Sequence, residues 1–423
     1  MLRCVPPKST GPEAHRQPPL WRQFRQAATA LEHRLLALGQ SRTDLPAPVE
    51  DLLYAGMRAW GLTQARLKRL VRRPPSGPVV CLLSVSFGAL RRGYRDNAVV
   101  VDQTVRAARD LGGEPTARFV NGLLRGVLRD PSAAALDEQQ DVARFNAPDW
   151  WTAHLRGQFD ETTLAQLAHA MHSPPPFCLR YLDGREPATV FGKPMRDLLS
   201  HPDWQAGRVR VQDQSAQALD GLLPLKPGQT VLDACAAPGG KSILMAARQS
   251  VNVWAIDVSA YRLERMRREL DRVAAYLKGS VKVCQADLTQ PLERQDLPDD
   301  LPQAFDHIVL DAPCSASGVA RRHPDGPWRR DPNQLEQTLA LQARLLDALW
   351  PRLKPGGQMV YVTCSIFESE NQHQVDAFKS RHSDAQSLPA PGLMLPFAKQ
   401  EEDGIWVGQD GFFYARFEKK HTH

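Results

Sequence analysis

Two of the seven cysteines sit where a thiol could do chemistry. Cys314 follows an apolar run in "FDHIVLDAPCSASG", and Cys364 closes another in "GQMVYVTCS". Each run has the length and β-branched content of a buried strand, so both thiols are expected at strand ends, with Asp311 three residues before the first. A thiolate can add to an electron-poor ring carbon, and a neighbouring carboxyl group can stabilise the adduct or handle its proton. A single cysteine of this kind is ordinarily buried packing, which is the reading for Cys81, Cys178 and Cys284. Two at successive strand ends beside a carboxylate point instead to a shared crevice, although spacing alone does not rank Cys314 against Cys364.

A second constellation points to a nucleoside ligand. The segment "VLDACAAPGGKS", Val231 to Ser242, reads as a strand ending in Asp233, a turn through Cys235, Ala236, Ala237, Pro238, Gly239 and Gly240, and a helix starting at Lys241. The glycines let the backbone approach a ligand and the helix start offers free N–H groups, yet the loop is neither a P-loop nor a complete GxGxxG fingerprint. Asp257 ends the next strand 24 residues after Asp233, a place from which a carboxylate can bind ribose hydroxyls. Asp287 follows the third strand and Asp311 the fourth, so these positions converge on the carboxyl edge of a sheet. Nucleoside, thiol and carboxylate together meet the needs of methyl transfer to carbon 5 of cytosine. That carbon attacks only after a thiolate has added to carbon 6, an acid such as Asp311 must face ring nitrogen 3, and a base must later remove the carbon 5 proton. A cation such as Lys241 raises the thiolate fraction.

The elements that must carry these residues differ along the chain. The 423 residues allow two or three domains at roughly 150 residues each. Residues 1–20 are rich in proline and polar residues and read as a disordered leader without a signal-peptide core. From 21 to 145 apolar residues recur at helical spacing, as in "FRQAATALEHRLLALG" and "FVNGLLRGVLRD", predicting five to seven helices up to Asp130. Residues 146–210 read as a linker subdomain with strands at "FCLRYL" and "GRVRVQD". Residues 211–423 alternate short β-rich runs with helices, which predicts an α/β domain with a mainly parallel sheet and a last strand, "DGFFYARFEK", at the sheet edge. Net charge is +6 overall, but residues 1–150 carry 22 Lys+Arg against 14 Asp+Glu. Arg66, Arg69, Arg72, Arg73, Arg91, Arg92, Arg95, Arg125 and Arg129 are candidates for a phosphate-binding face. No CxxC pair or zinc spacing occurs and no apolar run reaches membrane-spanning length, so a cytoplasmic protein without metal or membrane partner is expected.

These motifs resemble the RsmB/NOP/NSUN family of RNA 5-methylcytosine methyltransferases, and within it the bacterial type that acts on 16S ribosomal RNA. The resemblance runs through "VQDQSAQ" (Val211–Gln217), Val231–Ser242, Asp257, Asp287, Phe305–Asp325, Leu346–Asn371 and Asp410–Phe417, about the last half of the chain. The helical region is similar to a NusB-like RNA-binding domain. The resemblance implies an all-α NusB-like domain joined to a Rossmann-like methyltransferase domain, S-adenosylmethionine as cofactor, and RNA as partner. It implies Cys235–Lys241 as the cofactor loop, Asp257 at the ribose, Asp287 at the adenine and Asp311 near the methyl group and target base. It also ranks the cysteines, with Cys364 as nucleophile and Cys314 as helper in product release. The stretch between "FCLRYL" and "VRVQDQSAQ" is shorter than the family's small RNA-binding subdomain would suggest. A tRNA methyltransferase, a non-catalytic RNA-binding assembly factor and a nicotinamide-dependent oxidoreductase are the alternatives; "APGGK" and the two cysteines weigh against the last.

Overall fold

The computed structural model describes residues 18–35, 45–173, 175, 177–186, 188–190, 198–400 and 406–421. The leader expected over 1–20 lies almost wholly outside these residues. The chain divides into two compact units, residues 1–146 and 147–423.

The first unit is helical throughout its described residues: α1 Leu20–Leu35, α2 Ala47–Arg58, α3 Trp60–Leu70, α4 Gly77–Arg91, α5 Asn97–Arg129, α6 Pro131–Gln139 and α7 Asp141–Arg144. Helix α1 buries Phe24, Ala27, Ala28 and Leu31, the spacing of one apolar stripe. Helix α4 is buried on all sides from Val79 to Ala89 and forms the centre of the unit, as a helix apolar all round must. Helix α5 is two helices broken at Gly112 and Gly113, the latter at φ 72°, just before Pro115. One of the arginines expected on a phosphate-binding face is instead buried, and a second, though exposed, is paired with an internal acid. Arg66 is buried with its guanidinium over the Phe87 ring, and Arg69 binds the fully buried Asp137 with bonds of 2.7 and 2.6 Å. A carboxylate buried that deeply must be paired or hydrogen-bonded, and here the arginines do both. Arg72, Arg73, Arg91, Arg92, Arg95, Arg125 and Arg129 are exposed.

The second unit begins with α8 Asp149–Gln158 and α9 Glu161–His172, the latter capped by the Asp160 carboxylate on the Thr163 N–H. Between these and the main sheet lies a small antiparallel sheet of β1 Phe177–Tyr181, β2 Ala188–Val190 and β3 Val209–Val211, with the short helix α10 Pro202–Gln205 before β3. Because Val211 pairs with Leu179 of β1, the expected boundary at 210/211 falls inside this sheet.

The main sheet has seven strands. Those expected from the sequence are β4 Thr230–Ala234, β5 Asn252–Asp257, β6 Ser280–Gln285, β7 Phe305–Asp311, β8 Leu353–Thr363 and β12 Phe412–Lys419. The seventh, β9 Ala385–Met394, precedes the hairpin of β10 Phe397–Gln400 and β11 Trp406–Gln409. The order is β6-β5-β4-β7-β8-β12-β9, parallel from β6 to β8 and antiparallel beyond. Strand β12 is antiparallel, and contrary to expectation it is not the edge: β9 is. Pro389 and Pro391 hide β9 in the sequence, and an edge position is where a strand tolerates residues without an N–H. Alternation sends Val231, Val253, Val309 and Val360 to one face and Leu232, Trp254, Ile308 and Met359 to the other, so both faces are buried under separate cores. The covering helices include α11 Gly240–Arg248, α12 Ala260–Val273, α13 Pro332–Leu349 and α14 Gln372–Arg381. Among the described residues no helix is long and apolar enough to cross a membrane.

Candidate active site

A cavity of about 500 Å³ opens at the carboxyl ends of β4 to β8, where the reversal of strand order leaves a crevice. Its lining contains Cys235, Asp257, Asp287, Asp311, Cys314 and Cys364, each of which the sequence had singled out. Ala236, Ala237, Pro238, Gly239, Gly240 and Lys241 are not on the wall. They form the turn that carries β4 into α11 and act on the cavity through their contacts.

Gly239 caps α11 at φ 93°, a conformation costly for any residue with a Cβ, and an added Cβ would lie 2.8 Å from the Met266 side chain. The turn is locked to the end of β5. Asp257, only 2% exposed, accepts the Ala237 N–H at 3.1 Å on one oxygen and the Ser259 N–H at 2.9 Å on the other, and Arg262 stands 3.4 Å away. Asp287 accepts from the N–H and hydroxyl of Thr289 on a single oxygen. Cys235 has a positive φ of 59°, and burial pushes its thiol up to about 12, so it serves as wall rather than nucleophile.

At the opposite end of the cavity the two sulfurs meet. Parallel β7 and β8 are adjacent, with Asp311 level with Val362, so the turns after them bring Cys314 Sγ and Cys364 Sγ to 3.3 Å. The Cys314 thiol is held well above its usual range by its hydrogen bond to Cys364 and by burial, and it keeps its proton at neutral pH. Lys241, 8% exposed, places Nζ 2.6 Å from the Asp311 carboxylate. Burial opposes its charge, but the attraction of Asp311 prevails and the ammonium is held above its ordinary range, with Cys364 adding to the pull. A cation, shared with Asp311, thus stands within electrostatic reach of Cys364. Asp233 is fully buried behind this pair, bonded to the Ser242 hydroxyl, and burial raises its carboxyl to about 7.

Several wall residues were not foreseen: Val258, exposed and apolar beside Asp257; Arg262; Thr289; and Leu341, Arg344 and Leu345 of α13. The last three share one face of a long amphipathic helix, a pattern that reads simply as packing. The supports of the site also join distant segments. Arg321 and Asp410, both buried, pair at 2.5 Å, Arg322 binds Asp213 at 2.9 Å, and the Gly318 N–H donates to the Cys364 carbonyl at 3.0 Å. An added Cβ on Gly318 would stand 2.2 Å from the Gly411 carbonyl oxygen.

The residues suit a sulfonium nucleoside: strand-end carboxylates for hydroxyls and ring nitrogens, an apolar wall at Val258, Leu288 and Leu345, and Asp311 toward the sulfurs. Fold and crevice define a Rossmann-like methyltransferase. Residues 221–418 match the family of 16S rRNA methyltransferases RsmB/F. The chain is also 33% identical over 432 residues to the ribosomal RNA small subunit methyltransferase B of Salmonella arizonae, across 93% of this chain and 98% of that protein. It belongs to this family of S-adenosylmethionine-dependent ribosomal RNA methyltransferases. The solved structure of PH0851 shares the fold over 95% of this chain and 99% of its own, with a TM-score of 0.70 at 20% identity. A methyltransferase homologue from Pyrococcus horikoshii, 25% identical, covers 66% of this chain and 97% of its own at a TM-score of 0.50.

Proposed function

We propose that this enzyme methylates carbon 5 of a cytidine in 16S ribosomal RNA, in the cytoplasm, through a covalent bond between Cys364 and carbon 6 of the ring. The observation that carries the reading is the 3.3 Å approach of Cys314 and Cys364 on the wall of one cavity, with Asp311, paired to Lys241, on the same wall. Relatives named for the small ribosomal subunit support the choice of RNA.

Asp257 at the ribose, Asp287 at the adenine and the turn Cys235–Lys241 would hold S-adenosylmethionine, which would supply an electrophilic methyl group. Each Asp257 oxygen accepts one backbone N–H and retains acceptor capacity for a hydroxyl. The chain's own residues do the rest. Addition of the Cys364 sulfur to carbon 6 makes carbon 5 nucleophilic, beside the Lys241 ammonium held on Asp311. Asp311 stabilises the adduct at ring nitrogen 3. As water takes the carbon 5 proton, the carbon 6–sulfur bond breaks with its electron pair going to Cys364, and the protonated Cys314 donates its hydrogen bond to the departing sulfur. The exposed arginines of the first unit, Arg72, Arg73 and Arg125 among them, dock RNA phosphates.

Two experiments test this. Bisulfite mapping of total RNA from cells with and without the protein should lose one 16S position; loss of a tRNA position instead would reassign the substrate. Cys364→Ala should abolish both methylation and the RNA adduct, whereas Cys314→Ala should accumulate a protein–RNA species that survives denaturing electrophoresis. The reverse pattern would swap the two roles, and near-normal methylation by both variants would end the covalent mechanism.

A further inference from the structure

Glu370 has no exposed surface, does not line the cavity, and among the described residues has no cationic partner. A buried carboxylate without a cation is an expensive choice for a fold and is tolerated only where donors satisfy it. Its donors are specific. One oxygen accepts the Ser315 N–H at 2.6 Å and Gln342 Nε2 at 3.3 Å, and the other accepts the hydroxyls of Ser315 and Ser365, each at 2.5 Å. Ser315 follows Cys314 and Ser365 follows Cys364.

The residues preceding the cysteines are held by the same cluster. Gln342 also donates to the Pro313 carbonyl at 2.8 Å. Asn371, next to Glu370, accepts the Thr363 hydroxyl at 2.6 Å and donates to the Ser365 carbonyl at 2.9 Å. Both chain neighbours of both cysteines are thus tied to three side chains, while the sulfurs themselves stay clear and face the cavity. No apolar residue could replace Glu370 here, because it would leave four donors without this acceptor.

We propose that Glu370, with Gln342 and Asn371, is a positioning residue that sets the separation of the Cys314 and Cys364 sulfurs by clamping the two turns that carry them. The proposal rests on the cysteines acting as a pair, so its test includes a readout that needs no catalysis. Phenylarsine oxide bridges two thiols that stand together, forming two arsenic–sulfur bonds while its oxygen leaves as water with both thiol protons. Peptide mass spectrometry of the full-length chain follows the 314–364 bridge. Alongside it run methylation kinetics, S-adenosylmethionine calorimetry and thermal unfolding.

Glu370→Gln keeps one acceptor oxygen on Ser315 and lets the serine hydroxyls turn toward its amide, so it should bridge and methylate close to the wild type. Glu370→Ala should slow bridging and lower kcat by roughly tenfold to a hundredfold, the scale of a displacement near 1 Å, with KM for RNA and cofactor affinity unchanged. Should Glu370→Ala fail to fold, Ser365→Ala, which removes one strand of the clamp, should show the same effects at smaller size. Wild-type bridging in whichever of these variants folds overturns the proposal, as does a Glu370→Gln that is folded but as impaired as the alanine. Slowed bridging with undiminished kcat upholds the clamp and instead removes the paired-cysteine mechanism.

Discussion

Replacing Asp257 by alanine should injure two things at once, and the structure gives the size of each. The carboxylate is 2% exposed at the end of β5 and holds the cofactor turn through the Ala237 N–H. Its loss orphans that buried donor, at about 1–3 kcal/mol, while the Ser259 N–H, partly open to water, adds at most about 1. Arg262 is half exposed, so its ion pair adds little. A total of about 1–4 kcal/mol corresponds to a fall of about 2–16 °C in Tm for a unit of this size. The second injury is to the ligand: a buried ribose loses a charged acceptor worth about 1.5–3 kcal/mol, or roughly tenfold to a hundredfold in affinity. Isothermal calorimetry with S-adenosylmethionine, well below the variant's Tm, separates the two. Asp257→Asn is the control, because its amide oxygen still serves one backbone N–H but brings no charge. Unchanged affinity in the alanine variant would refute the ribose role. Full recovery of affinity by asparagine would show that the carboxylate works only through the turn.

Asp233 gives a pH signature. Its carboxyl is raised to about 7 by burial, so the folded chain holds this proton up to about pH 7 while the unfolded chain releases it near pH 4. The stability contributed by the protonated form is therefore complete below about pH 4 and lost as pH rises through 7. Asp233→Asn should remove that dependence, giving a gain over the wild type of about 2–4 kcal/mol at pH 8 that shrinks toward pH 5; equal differences at the two values would contradict it. A chain beginning at residue 147 should retain cofactor affinity but bind the 16S transcript more weakly and with a shallower salt dependence, since the exposed arginines of the first unit are gone. Matching salt slopes for the short and full chains would exclude those arginines from docking.

Much of this molecule is written in short-range pattern. The strand runs around Leu232, Trp254, Ile308 and Met359 declare themselves because a strand buried on both faces must be apolar over its length. The helices of the first unit show in their apolar stripes, and a strand ending in an acid before "APGG" marks a ligand turn because only glycine accepts φ near 93°. Resemblance to known motifs then ranked the two cysteines, which spacing had left equal. Tertiary structure decided what depends on residues far apart. It set the order of strands, with proline-bearing β9 and not β12 at the edge. It buried Arg66 and paired the exposed Arg69 with the buried Asp137, where a sequence shows only basic residues on a helix. It also made Glu370, an unremarked acid six residues beyond Cys364, the common anchor of two turns some fifty residues apart. Periodicity and turn chemistry act over a few residues, so they are legible locally. The 3.3 Å between two sulfurs follows from strand neighbours and buried hydrogen bonds, which exist only after the sheet has formed.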